Sequence, residues 1–142
     1  MPSAPIGYRP LLHPFHAILL AFPISLFSFA LVTDITYLRT AEIQWSNFAS
    51  WSIVAALIGG GAALAWSLFL IIAVRRLTSR WRVSLYAILL AIMWIAGLLN
   101  AFQHSQDAWS SVGTTGLLLS IISTISALTA GWVGHGAVRE IV

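Results

Sequence analysis

Four long uncharged runs constrain this chain more than any other feature. Residues 11–33, 48–74, 83–103 and 112–138 contain no Asp, Glu, Lys or Arg. A helix of about 20 apolar residues, rising about 1.5 Å per residue, crosses the roughly 30 Å hydrocarbon core of a bilayer. Charges and turn formers collect between the runs, at residues 34–47, 75–82 and 104–111. Lipid offers the backbone no hydrogen-bond partner, so uncharged runs of this length have to bond internally as helices. Composition agrees: 59% of the 142 residues are hydrophobic and 8% charged, against about 25% charged in soluble domains. The reading is an all-α polytopic membrane protein, one four-helix transmembrane bundle over residues 1–142. The first run lacks a basic leader and a small-residue cleavage site and carries Pro14 and Pro23, so it reads as a permanent span and not as a signal peptide.

The charges that remain set an expected direction. All seven basic residues are Arg. With four spans, Arg9, Arg75, Arg76, Arg80, Arg82 and Arg139 fall on one side and only Arg39 on the other. The positive-inside rule then places both termini in the cytoplasm and the protein in the cell (inner) membrane. Trp45, Trp51 and Trp109 fall at the outer interface and Trp81 and Trp132 at the inner one, as aromatic belts do, while Trp66 and Trp94 lie deeper and need internal partners or lipid. The net charge of +3 rests on only four acids, so the basic balance reflects scarce carboxylates and does not point to nucleic acid. The chain has no Cys, which excludes a disulfide framework, a thiolate nucleophile, an iron–sulfur cluster and covalently attached haem.

Small residues mark where the helices can approach. Lipid tails give no hydrophobic drive for association, so packing through small side chains has to supply it. Ala55, Gly59 and Ala63, with Ala56 and Gly60, form such a stripe in the second run. Gly116, Ser120, Ser123, Ala127, Gly131 and Gly134 form another in the fourth. These stripes are expected to make the tightest seams, within the bundle or in a homo-oligomer. Pro23 removes one backbone bond and is expected to kink the first helix, with Ser25 or Ser28 helping to satisfy the freed group.

An ionisable group inside a span costs about 2.5–3.5 kcal/mol on insertion scales, so each needs a reason. His13 and His16 open the first run and Asp34 closes it. Asn100 and His104 end the third, Asp107 follows, and His135 lies near the end of the fourth. From His16 to Asp34 the helical rise is roughly 27 Å, the full bilayer core, so two polar clusters sit at opposite faces. At the inner face, His13, His16 and His135 are candidates to hold b-type haem through two imidazoles on facing helices. The competing reading has His13 capping the helix, His16 bonding a neighbouring carbonyl and His135 at the interface. At the outer face, Asn100 and His104 stack four residues apart, and a carboxylate from Asp107 or Asp34 would orient the imidazole for proton exchange. There the competing reading is a helix end whose last carbonyls are satisfied by side chains. One His and dispersed Asp give too few ligands for a metal. Nor does any strand–turn–helix elbow surround a serine, so no hydrolytic site is assigned.

Several spaced motifs together resemble a known family. His13-Pro14-Phe15-His16, then Phe22-Pro23-Ile24 and Asp34, are similar to the opening helix of a bacterial predicted-membrane-protein family classed as a domain of unknown function, number 2231. Asn100, His104, Asp107-Ala108-Trp109, Val112, Gly116, Ser120 and Gly131-Trp132-Val133-Gly134 resemble its third and fourth helices. The resemblance implies four helices integral to the membrane with no settled activity. Some relatives join this domain to a Rieske-type iron–sulfur module, which implies electron-transfer surroundings. His135 stands where the family has the second Gly of a pair, so the resemblance supports His13, His16 and His104 more than His135.

Three functional classes follow. The first is a small structural or anchoring subunit that docks a redox partner at the lipid bilayer and needs no cofactor. The second is an electron carrier with bis-histidine haem, exchanging electrons with quinone near His104. The third is a proton or small-solute pathway lined by Asp34 and His104, which a single buried acid serves poorly.

Overall fold

The computed structural model describes residues 6–10, 12–73, 80–105 and 112–141. Four long helices follow one another up and down: α1 (Pro14–Thr40), α2 (Ile43–Ala73), α3 (Arg80–His104) and α4 (Thr114–His135). Each is long and apolar enough to cross a membrane. Helix α1 packs against α2 and α4, and α3 against α2 and α4, so the four close into a ring around a shared core.

Local sequence explains where α1 begins and turns. His13 is its N-cap, with its Nδ1 accepting the Phe15 N–H at 3.3 Å, and Pro14 occupies the first turn, where its missing N–H is harmless. The helix runs through Asp34 and ends six residues later at Thr40. Ala41, in a left-handed conformation, donates its N–H to the Tyr37 carbonyl at 2.8 Å. Only Ala41 and Glu42 separate α1 from α2. The expectation that Asp34 closes the span is thus corrected: the charge interrupts the apolar run but not the helix, and Asp34 faces inward. The fourth helix is shorter than expected, ending at His135 rather than reaching Val138.

Beyond the helices, β1 (Ile6–Pro10) and β2 (Ala137–Ile141) pair antiparallel, with Ile6 opposite Ile141 and Pro10 opposite Ala137. This two-stranded sheet accompanies the expected bundle of four membrane-spanning helices. Its pairing joins the two ends of the chain and so leaves no local periodicity to read. It also places the start of α1 and the end of α4 at one end of the bundle, called here the termini end.

Small residues make the seams as the stripes predict. Gly116, Ser120, Ser123, Ala127, Gly131 and Gly134 are all buried on α4. On α2, Ala56, Gly60 and Ala63 are buried while Ala55 faces out. A methyl built on Gly60 would meet Met93 Cε at 2.7 Å and Pro23 Cβ at 3.4 Å, so this glycine lets three helices converge. Leu20, Phe27, Ile53, Leu90 and Met93 fill the centre. Large apolar side chains cover the outside instead: Trp51 and Ile72 are each 76% exposed and Trp132 is 85% exposed. Such a surface is stable only against lipid.

Pro23 is buried within α1, and its ring removes the N–H that would bond the Leu19 carbonyl. Ser25 donates to the Ala21 and Phe22 carbonyls and Ser28 to the Ile24 carbonyl. Neither reaches Leu19, so the expected rescue by these serines is not the one adopted.

Candidate functional site

At the end of the bundle away from the termini, three helices bring four polar side chains together. Asp34 of α1 and Asn100 of α3 are fully buried, and Ser120 of α4 and His104 of α3 nearly so. His104 Nε2 lies 2.9 Å from Asp34 Oδ1, and His104 Nδ1 lies 3.0 Å from the Asn100 carbonyl oxygen. The Asn100 amide donates to Ser120 Oγ at 2.7 Å, and the Ser120 hydroxyl donates to Asp34 Oδ2.

Donor and acceptor arithmetic fixes most protons here. A carbonyl only accepts, so Nδ1 of His104 carries a hydrogen. Ser120 has one hydrogen, which goes to Asp34 because its oxygen already accepts from Asn100. The contact between His104 Nε2 and Asp34 Oδ1 then requires one further proton, held between imidazole and carboxyl. The bonds form a closed circuit from Asn100 through Ser120, Asp34 and His104 back to Asn100, tying α1, α3 and α4. Both carboxyl oxygens are satisfied, which is the condition for burying an acid. Asn100 Oδ1 remains without a partner among the described residues.

At the termini end, His16 of α1 is buried and its Nε2 lies 2.6 Å from the Tyr86 hydroxyl of α3. Trp66 of α2 stands among the rings of His13, Phe15 and His16, with centroids 6.2, 5.7 and 6.0 Å away. His13, His16, Trp66, Ser67 and Tyr86 line a pocket of about 90 Å³. Arg82 donates to the Val133 carbonyl at 3.4 Å, a last-turn carbonyl of α4 that the helix leaves open, and His135 Nδ1 bonds the Gly131 carbonyl at 2.8 Å.

The sequence candidates thus divide. Asp34, Asn100 and His104 come together, with Asp34 and not Asp107 as the carboxylate that the described residues show; Asp107 and Trp109 lie outside those residues. His13 and His16 share one pocket, whereas His135 turns back onto its own helix. A cavity of about 150 Å³ encloses one benzene, so the pocket as it stands does not take a haem, and no step is derived through one. Among the described residues, no group of three or more His, Asp or Glu is placed to hold a metal ion. Sequence reasoning missed Ser120, Tyr86 and Ser67 as partners. Ser120 was visible only as a member of a packing stripe, and the other two only as residues of apolar runs.

The spaced motifs, four helices and two buried polar clusters accompany a match of residues 12–141 to the family model described as predicted membrane protein (DUF2231). The chain belongs to the DUF2231 family. No curated protein and no solved structure matches it. Within this DUF2231 chain the match spans all four helices and every histidine, so both polar clusters fall inside the family's extent.

Proposed function

We propose that this chain is a small structural subunit of a membrane assembly, an anchor for a redox partner, whose buried circuit locks the bundle instead of conducting protons. The observation that carries this reading is the closure of the circuit. Every hydrogen bond from Asp34 returns to the ring of four residues, and the apolar layer of Leu20, Phe27, Ile53, Leu90 and Met93 separates it from the His16 cluster. A transport route needs polar groups across the whole thickness. In proteoliposomes carrying a pH-sensitive dye, the wild type and Asp34→Asn are expected to pass protons no faster than protein-free vesicles. A flux above that blank that Asp34→Asn abolishes would overturn the anchor in favour of the pathway.

The redox partner is supported by the family resemblance and the cytoplasmic orientation by the distribution of Arg. A tagged chain isolated from its native membrane in mild detergent is expected to carry with it a protein with an iron–sulfur or haem signal. Its C-terminal tag is expected to be shielded from protease in intact spheroplasts. A chain that elutes alone and colourless would remove the partner, and a tag cleaved from outside would reverse the orientation.

A further inference from the structure

The pocket at the termini end contains two buried polar atoms with nothing to bond. His16 is 2% and Ser67 3% exposed, and among the described residues His16 Nδ1 and Ser67 Oγ have no hydrogen-bond partner. Their residues come from different helices and line the same pocket of about 90 Å³. Ser67 departs from the habit of its neighbours. Ser25, Ser28, Ser50, Ser52 and Ser123 each donate to the carbonyl four residues earlier, as helical serines do when nothing else needs the hydroxyl. Burying an unbonded polar group is costly, and a native protein that does so twice in one pocket is arranged for a group that bonds both.

We propose that this pocket binds the oxygen-bearing edge of a flat apolar ring, a quinone-type headgroup from the bilayer, with Ser67 Oγ and His16 Nδ1 as its hydrogen-bond partners. The walls are apolar or aromatic apart from these two groups and His13, which favours an apolar body with few oxygens. Flatness comes from Trp66, whose face already takes the His13 ring in a near-parallel stack at 27°, the arrangement that ring faces favour. The pocket is smaller than a benzene-sized cavity, so only the carbonyl edge enters. The rest of the ring lies at the rim, where His13 is exposed and Leu70 is 37% exposed.

The Tyr86 contact gives the site its chemistry. When the Tyr86 hydroxyl donates to His16 Nε2, Nδ1 carries the proton and donates to a ring carbonyl, as does Ser67. When Nε2–H donates to Tyr86 instead, Nδ1 accepts from a ring hydroxyl. The same two side chains therefore hold the carbonyl and the hydroxyl form of one ring, differing only in which imidazole nitrogen bears the proton.

The test is a titration of the full chain in phosphatidylcholine nanodiscs with decyl-benzoquinone, read by quenching of tryptophan fluorescence. The expected result is saturable quenching that disappears in Trp66→Phe and is about tenfold weaker in affinity in Ser67→Ala, the usual scale for one lost hydrogen bond. Because that hydroxyl has no partner among the described residues, Ser67→Ala is expected to keep the wild-type Tm or exceed it, which separates lost binding from lost fold. Decylbenzene, with the same tail and ring but no oxygens, is expected to give only unsaturable partitioning. Equal affinity in Ser67→Ala, saturation by decylbenzene, or no saturable quenching by the quinone would overturn the site. Displacement of the quinone by monoolein at equal concentration would make it an ester-carbonyl site and overturn the ring.

Discussion

Replacing Asp34 by Ala is expected to lower the stability of the bundle by about 3 kcal/mol, whereas Asp34→Asn is expected to cost less than about 1 kcal/mol. The difference follows from the circuit. Alanine leaves His104 Nε2 and the Ser120 hydroxyl buried without the carboxyl that both now bond, and each such loss costs about 1–3 kcal/mol. The reference state pushes the same way. Separate inserted helices carry Asp34 into lipid at a cost of about 2.5–3.5 kcal/mol. The acid is therefore relieved by assembly, and alanine removes that drive as well. An amide, by contrast, can donate to a neutral Nε2 with one arm and accept from Ser120 with the other, so every bond survives without the shared proton. Unfolding in mixed micelles with increasing SDS, followed by tryptophan fluorescence, measures both. Equal losses in the two variants would show that charge and not bonding holds the cluster, and no loss in Asp34→Ala would show the circuit to be idle. A cycle with His104→Ala is expected to show at least about 1 kcal/mol of coupling, because the two side chains share one contact.

The second large effect lies in the apolar layer. Gly97→Ala is expected to cost about 2 kcal/mol, the middle of the range for overpacking a filled core. A methyl at Gly97 would sit 2.5 Å from Phe27 Cζ and 3.2 Å from Leu57 Cδ2. Phe27 is 1% exposed and reaches from α1 across the ring of helices to α3, so its ring has no open side to move into. Phe27→Leu alone leaves a void and also destabilises. Together the two changes are expected to cost at least about 1 kcal/mol less than their sum, since the shorter side chain makes room for the methyl. The same SDS titration reads this cycle, and strict additivity would mean that Phe27 escapes the methyl by another path.

What the sequence made legible was whatever lipid enforces. Four uncharged runs had to become helices, and Gly and Ser at spacings of three and four had to mark the seams of α4 and part of α2. Boundaries were less legible. Asp34 looked like the end of a span because a carboxylate stops an apolar run, yet the residues after it continue the helix and two partners on other helices, His104 and Ser120, bond its carboxyl. His104 could be paired with a carboxylate from its spacing, but the choice of Asp34 depends on α1 and α3 standing in register. Ser67 and Tyr86 gave no signal at all, because a serine or tyrosine among apolar residues reads as lipid contact or self-bonded helix until the neighbouring helix is in place. His135 looked like a candidate partner for His16 because both sit near the same end of the bundle, but His16 bonds across to Tyr86 while His135 bonds its own helix.

The pairing of β1 with β2 also orders the events of biosynthesis. The first strand emerges before the four spans and its partner only after all of them. No pairing of higher sequence separation exists in the described chain, and contacts of that kind form late because the intervening loop has to close first. The helices therefore insert and assemble with the two strands unjoined, and the ladder between Ile6–Pro10 and Ala137–Ile141 fastens the bundle only after the fourth helix has entered its place.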